Sequence, residues 1–464
     1  MSDAFFSILA VFAPLALFGG IVGLAFVASQ KAARRRREAW TEAARRLRMT
    51  VDVRRAYRPK IYGERDGVSV LVDVYTTGSG KNKSTWTRYQ VTTKGAAAAL
   101  NLGPENFFSS MGVSLSSRVD HQIGDRAFDD AAIIDGNEAS ALAVLHHGFR
   151  EPFAAAMHQG VRLKAGTFYL RRSGVTRDTD RLVYEVERLL ALAHSAEVGH
   201  VVRRIARNAL TDPEPGVRQR CFEYVLARHP NHDATRHLLE EGRRSPWADV
   251  RIRVASRLGK DGLPLLEGVV GDARIAPQWR AEALRRAAGL GSSRTAELAI
   301  HVVETGYGSL LDAGLDVALR MRLPAFAPRI RARLQRHDVH DVPRALRALA
   351  ATGDASDEAL LLTYLDADDE PTVIAAIEGL GTLASIGAVE ALLELSKGVF
   401  RDRDIKRAAR AAVESIQARA GGGGHGGLAV AAEVEAGGHV AVVAEHGAQA
   451  VDEVTETAAA TMKR

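Results

Sequence analysis

Several short stretches carry residues whose types and spacing suit chemistry. Gly78-Ser79-Gly80-Lys81 has the outline of a phosphate-binding loop. Such a loop needs G-x-x-x-x-G-K-[ST]: its glycines let backbone amides wrap phosphate, its lysine reaches the terminal phosphates, and its hydroxyl binds magnesium. Here Asn82 replaces the hydroxyl and Tyr75 stands where the first glycine belongs. A strand pattern follows, so no helix N-terminus would point at an anion. The composition is that of a hairpin connection. Asp125, Asp129, Asp130 and Asp135 invite a metal, but Phe128 and the apolar Ala131 to Ile134 predict a strand with turns at each end, where aspartate is common. His337 and His340 stand three apart, and His229, His232 and His237 fall at a helix break. A zinc site there would still need further ligands at tetrahedral spacing, and no cysteine is near. Cys221, the one cysteine, lies in an apolar helical stretch and reads as a buried, inert thiol. There is no G-x-S-x-G elbow, H-E-x-x-H helix or Cys–His arrangement. The expectation is a non-enzymatic chain with no cofactor and no metal.

The elements that would position such groups begin with an uncharged run. Ala4 to Gln30 holds no charged residue. As a helix, Ala4 to Ala28 would be about 37 Å long, enough to cross a hydrocarbon core of about 30 Å with some tilt. A cleaved signal peptide would need a basic leader, whereas the residues ahead of the run carry only Asp3. Lys31, Arg34, Arg35, Arg36 and Arg37 follow at once, and the positive-inside rule keeps them in the cytoplasm. The expected localisation is the inner (cytoplasmic) membrane, single-pass, with the N-terminus out. From Lys31 to Lys60 there are twelve bases against three acids. Next to a span, those bases fix topology and bind anionic lipid headgroups, so the pI of 9.4 says little about nucleic acid. Gly19 and Gly23 have the spacing of a helix-dimerisation motif, which allows a homodimer in the bilayer.

After a basic, amphipathic linker helix in 31–56, the texture changes to period two. Val68, Val70, Val72 and Val74 alternate with Ser69, Leu71, Asp73 and Tyr75, and Trp86 to Thr93 also favours strand. Helices are expected from Glu138 to His147 and over Phe149 to Gly160, then a closing strand or hairpin over Val161 to Gly174. Residues 57–175 read as a small α+β domain.

Beyond it the period is helical and repeats itself. Val217, Val250, Trp279, Leu311, Val342, Val373 and Ile405 occupy one register, with separations of 33, 29, 32, 31, 31 and 32 residues. Small or apolar residues recur four and eight positions later, on one helix face. A second apolar helix precedes each copy. Neither helix of a pair can bury its face alone, so the pairs over 176–420 must stack into a solenoid. The Val217-Arg218 and Val250-Arg251 openings, Asp249, Asp341 and Pro371 just ahead of such openings, and the Leu258-Gly259 and Leu380-Gly381 endings resemble the short, roughly thirty-residue bacterial HEAT-like repeat. Trp279 and Leu311 depart from that opening. The fold class expected is mainly α: a HEAT-like α-solenoid following a small α+β domain and one N-terminal transmembrane helix. Residues 421–464, Gly- and Ala-rich with six acids against two bases, read as a flexible tail.

The HEAT-like resemblance implies a protein-binding scaffold, with bilin lyases and DNA-repair proteins as the minority. The second helices would present rows of polar side chains on a concave face, so the expected partner-binding residues are Arg218, Arg251, Arg280, Arg344 and Lys406, with Arg220, Arg253, Arg285 and Arg347 nearby. The competing expectation is that many of these arginines pair with neighbouring acids. The function expected is a membrane-anchored scaffold or adaptor that gathers an unidentified protein, an acidic one being a candidate. Alternatives are a HEAT-type lyase or enzyme accessory acting on a small molecule or modified protein, and, as the least favoured, a nucleic-acid binder with a continuous basic stripe.

Overall fold

The computed structural model describes residues 26–55, 57–104, 120–291, 293–397 and 402–421. The greater part of the uncharged N-terminal run and residues 422–464 lie outside them. Among the described residues, no helix is long and apolar enough to cross a membrane. The chain is mainly helical, with one antiparallel sheet and a helical repeat region.

The first helix, α1 (residues 26–47), is not a linker. Trp40, Ala43, Ala44 and Leu47, spaced to share one face, are fully buried. Trp40 donates from its indole nitrogen to the Thr176 carbonyl at 2.9 Å, and Arg46 pairs with Asp180 at 2.7 Å. The helix ends where Arg48 takes a left-handed φ of 58° and the Met49 amide reaches back to the Ala44 carbonyl. The chain reverses there into β1 (Thr50–Asp52), so the sheet begins ahead of residue 57.

Among the described residues eight strands follow: β1, β2 (Lys60–Arg65), β3 (Val68–Thr77), β4 (Ser84–Thr92), β5 (Leu100–Gly103), β6 (Ile133–Gly136), β7 (Arg162–Lys164) and β8 (Thr167–Ser173). Their order is β1-β2-β3-β4-β8-β7-β5-β6, every pairing antiparallel. Val68, Val70, Val72 and Val74 point inward, as their alternation requires. The Gly78–Lys81 segment is the β3–β4 connection, with Gly78 and Gly80 at positive φ and Tyr75 paired across to Trp86.

One expectation is corrected between β5 and β6. Arg126–Ala131 is a helix, α2, not a strand: the Asp125 carboxylate accepts from the Phe128 amide as N-cap and Phe128 turns into the core. Only Ile133–Gly136 is extended. Then come α3 (Glu138–Val144), α4 (His147–His158) and α5 (Thr179–Ser195), which lies on β3 and β4.

The helical pairs run α6 (Val201–Thr211) and α7 (Pro215–Arg228), α8 (Asp233–Gly242) and α9 (Ala248–Leu258), α10 (Leu263–Gly271) and α11 (Pro277–Leu290), α12 (Ser293–Thr305) and α13 (Ser309–Met321), α14 (Ala327–Gln335) and α15 (Val342–Thr352), α16 (Glu358–Thr363) and α17 (Glu370–Leu383), α18 (Val389–Lys397) and α19 (Arg403–Gly421). All seven register residues fall on second helices, so the sequence period is the structural period. Consecutive second helices pack directly from α11 to α19. Gly381 lets α17 approach the Ala412 backbone of α19, which gives the Leu-Gly ending a packing role.

The hydrophobic core runs without a break from the sheet into α5–α8, and α9 divides it from the next. Val250 and Val254 of α9 face the sheet-side core, whereas Ala248, Ile252 and Ala255 face the core of the later repeats.

Candidate interaction surface

Two ionic systems involve the second helices, and burial separates them. The first lies where the sheet meets the repeats. Arg150 of α4 is 2% exposed and grips Asp212 with two bonds of 2.8 and 2.9 Å, while also donating to Asp125 and to the Leu145 carbonyl. Burial works against the Arg150 charge, but the bonds and attraction of Asp212, with Asp125, outweigh it and raise its pKa. Arg218 of α7 holds Asp249 of α9 with bonds of 3.0 and 2.8 Å, and donates to the Asp212 and Pro213 carbonyls. Its guanidinium stacks 4.2 Å from the Trp247 ring. Gly124 and Gly216 pass backbone to backbone beside this network, and a Cβ on either would overlap the other chain.

The second system lies further along and is open to solvent. Arg285 of α11 pairs with Asp316 of α13 at 3.0 Å. Arg344 of α15 lies 3.5 Å from Asp312, 3.6 Å from Asp316 and 3.2 Å from Asp341, with His340 at 3.3 Å from Asp312. Arg347 of α15 pairs with Glu378 of α17 at 2.9 Å. These side chains are a third to a half exposed, apart from the more buried Asp312, whose Oδ1 has no hydrogen-bond partner among the described residues. The row alternates in sign, so it is not a continuous basic stripe.

Of the four arginines and one lysine expected to bind a partner, Arg218 is buried inside its own ion pair and so is not available to one. Arg280 donates to the Val270 carbonyl at 2.8 Å and so caps the C-terminus of α10, a structural task. Arg251 is half-buried, its Nε without a hydrogen bond among the described residues, and adds to the hydrogen bonds from Arg274 in holding the Asp272 carboxyl below its usual range. Arg344 belongs to the open row, and Lys406 is half-buried on the first turns of α19. The expectation that many of these arginines pair with neighbouring acids holds at Arg218, Arg285, Arg344 and Arg347, but sequence reasoning did not name the acids, Asp312, Asp316 and Glu378 among them. The signal was present: Arg218 to Asp249, Arg285 to Asp316 and Arg347 to Glu378 are each 31 residues apart, one repeat, so each base meets the acid on the next second helix.

A groove of about 560 Å³ lies between α17 and α19, with Glu378, Thr382, Asp404, Arg407 and Ser415 in its lining. Its two acids are already ion-paired, Glu378 with Arg347 and Asp404 with Arg407. Glu370, Asp402 and Asp404 bring carboxylate oxygens within 4.8 Å of one another. Glu370 and Asp404 sit in the first turns of α17 and α19, where a helix N-terminus favours an acid without any ion.

The sequence-stretch candidates disperse. Asp125 is a helix cap bound to Arg150, Asp129 accepts from the Ile123 and Gly124 amides, and Asp135 accepts from Asn101. His232 accepts the Ala234 amide as the cap of α8. Cys221 is fully buried, and burial pushes its thiol well above the usual range. On α1, Lys31, Arg35 and Arg37 are exposed, Arg34 is paired with Glu38 at 2.8 Å, and Arg36 turns inward, its pKa lowered by burial and by Arg177.

No family model matches this chain, and no curated protein matches it. A solved structure of the complex of CpcE and CpcF of phycocyanin lyase from Nostoc sp. PCC7120 is similar at 18% identity, covering 41% of this chain and 81% of that one, with a TM-score of 0.30. That value is too low to carry an argument about activity.

Proposed function

We propose that this chain is a membrane-anchored scaffold or adaptor, facing the cytoplasm, that holds a protein partner on the exposed row of its second helices. The observation that carries this reading is the open ionic row from Arg285 to Glu378, set on a stack of paired helices. Because the row alternates in sign, a partner of complementary mixed charge fits it better than a uniformly acidic one, and better than nucleic acid. The uncharged run ahead of Lys31 supplies the anchor. A lyase or accessory role working in the groove between α17 and α19 would require one of its ion pairs to open.

The test compares the full chain with a variant carrying Arg285→Glu, Arg344→Glu and Arg347→Glu in pull-downs from solubilised membranes. Arg218 and Arg280 stay unchanged, since reversing them would disturb the fold. A specific protein recovered by the wild type and lost from the variant supports the proposal. Equal recovery by both, or recovery of nucleic acid alone, removes the row as the working surface.

A further inference from the structure

We infer that the β1–β2 turn is a second lipid-contact element, which lays the sheet's edge against an anionic membrane surface beside α1. This rests on the proposal that the chain is anchored through its N-terminal run. The argument starts with rigidity. The buried Trp40, Ala43, Ala44 and Leu47 fix α1 to the sheet, so whatever holds the start of α1 also orients the sheet. After the reversal at Arg48 the chain enters β1. One cleft of about 510 Å³ is lined by Arg37 of α1 together with Thr50 to Arg54 and Tyr62, which brings the entry to the turn near Arg37. Arg37 lies seven residues beyond Gln30, the last residue of the uncharged run, which is about 10 Å along a helix. The headgroup zone is roughly 5–8 Å deep on each side, and the Debye length at physiological salt is about 8 Å. The turn therefore falls within electrostatic reach of the headgroups.

Its chemistry matches that position. Arg54, Arg55, Arg58 and Lys60 are all exposed, and Asp52, 3.9 Å from Arg54, is the one acid in the stretch. Among the described residues, Arg55 and Arg58 form no ion pair, and neither do Arg35 and Arg37 on the helix. Tyr57 is 60% exposed and Tyr62 is 42% exposed, with Lys60 lying 5.0 Å from the Tyr62 ring. Exposed tyrosine among unpaired bases suits the boundary between headgroup and water, where an amphipathic ring and a cation are both stabilised. A protein partner would have to bring a concentrated acidic face into the same narrow space.

The experiment puts a polarity-sensitive fluorophore on the full chain through Tyr57→Cys, with Ile386→Cys in a distant repeat as the control. The buried Cys221 leaves the introduced thiol as the labelling site. Each protein is reconstituted into vesicles of phosphatidylcholine, alone or mixed with phosphatidylglycerol, and floated. The expected result is a blue shift and quenching by spin-labelled lipid at position 57 in the anionic vesicles. Both should be reduced by salt, lost with Arg54→Glu, Arg55→Glu and Arg58→Glu, and absent at position 386. Chains that float while position 57 stays water-exposed in both lipids overturn this inference and leave the anchor standing. Chains that fail to float overturn both. A shift produced by added RNA and not by phosphatidylglycerol overturns the lipid assignment.

Discussion

At the junction of sheet and repeats, Arg150 with Asp212 and Arg218 with Asp249 are buried and joined by paired bonds; from α11 onward Arg285 with Asp316 and Arg347 with Glu378, one repeat apart like Arg218 and Asp249, stand in solvent. The chemistry is shared and the setting differs. In the junction each charge has lost its water, so its partner is indispensable. Along the open row, water competes for every pair, each is worth little to the fold, and the groups stay free to meet another molecule. One repeat pattern thus serves as an internal fastening at one end and as a surface at the other.

The sharpest way to break this contrast is Asp212→Ala. It leaves Arg150 buried without its main partner and should cost about 3–5 kcal/mol, read as a lower denaturant midpoint. An unchanged midpoint would mean that the junction is not fastened by charge. Next, Gly216→Ala should destabilise by more than about 1 kcal/mol, because the added methyl overlaps the Gly124 backbone. Local hydrogen exchange should rise in α2 and α7 together; a rise in α7 alone would argue against a coupled junction.

On the open row, a double-mutant cycle with Arg285→Ala and Asp316→Ala should give a coupling of about 0.2–1 kcal/mol that shrinks with salt. A value as large as the junction's would erase the distinction drawn between the two regions. The smallest effect concerns His146. Burial holds its imidazole below the usual range despite its bond to the Ser195 carbonyl at 3.1 Å. A histidine that is harder to protonate folded than unfolded contributes stability above about pH 6.5, lost as pH falls below that value. The wild type should therefore lose Tm between about pH 7 and 5.5 more steeply than His146→Asn, and parallel curves would assign the titration elsewhere.

Much of the architecture could be read from spacing. The register from Val217 to Ile405 named each second helix, and the alternation Val68 to Val74 named the inward face of β3. Failed loop chemistry at Gly80 and Asn82 identified a hairpin connection. α2 escaped, because six residues are too few to show a helical period, and its start depends on one cap at Asp125. The docking of α1 escaped too. The buried stripe through Trp40 and Leu47 was visible as amphipathic, but nothing in it names the Thr176 carbonyl or Asp180, more than 130 residues on, as its partners.

The candidate surface was legible only in half. Arg344 was found among the bases of the second helices, while Arg218 and Arg280 carry the same residue type in similar positions and turned out to be fastening and cap. What the sequence determined by itself was periodic: which residues share a helix or strand face, how long each repeat is, and where charge accumulates. Those follow from local geometry, which is fixed within a few residues. Which arginines keep their water and which lose it was decided by tertiary structure alone, because burial depends on what packs above a side chain, and that neighbour comes from another repeat or from the sheet.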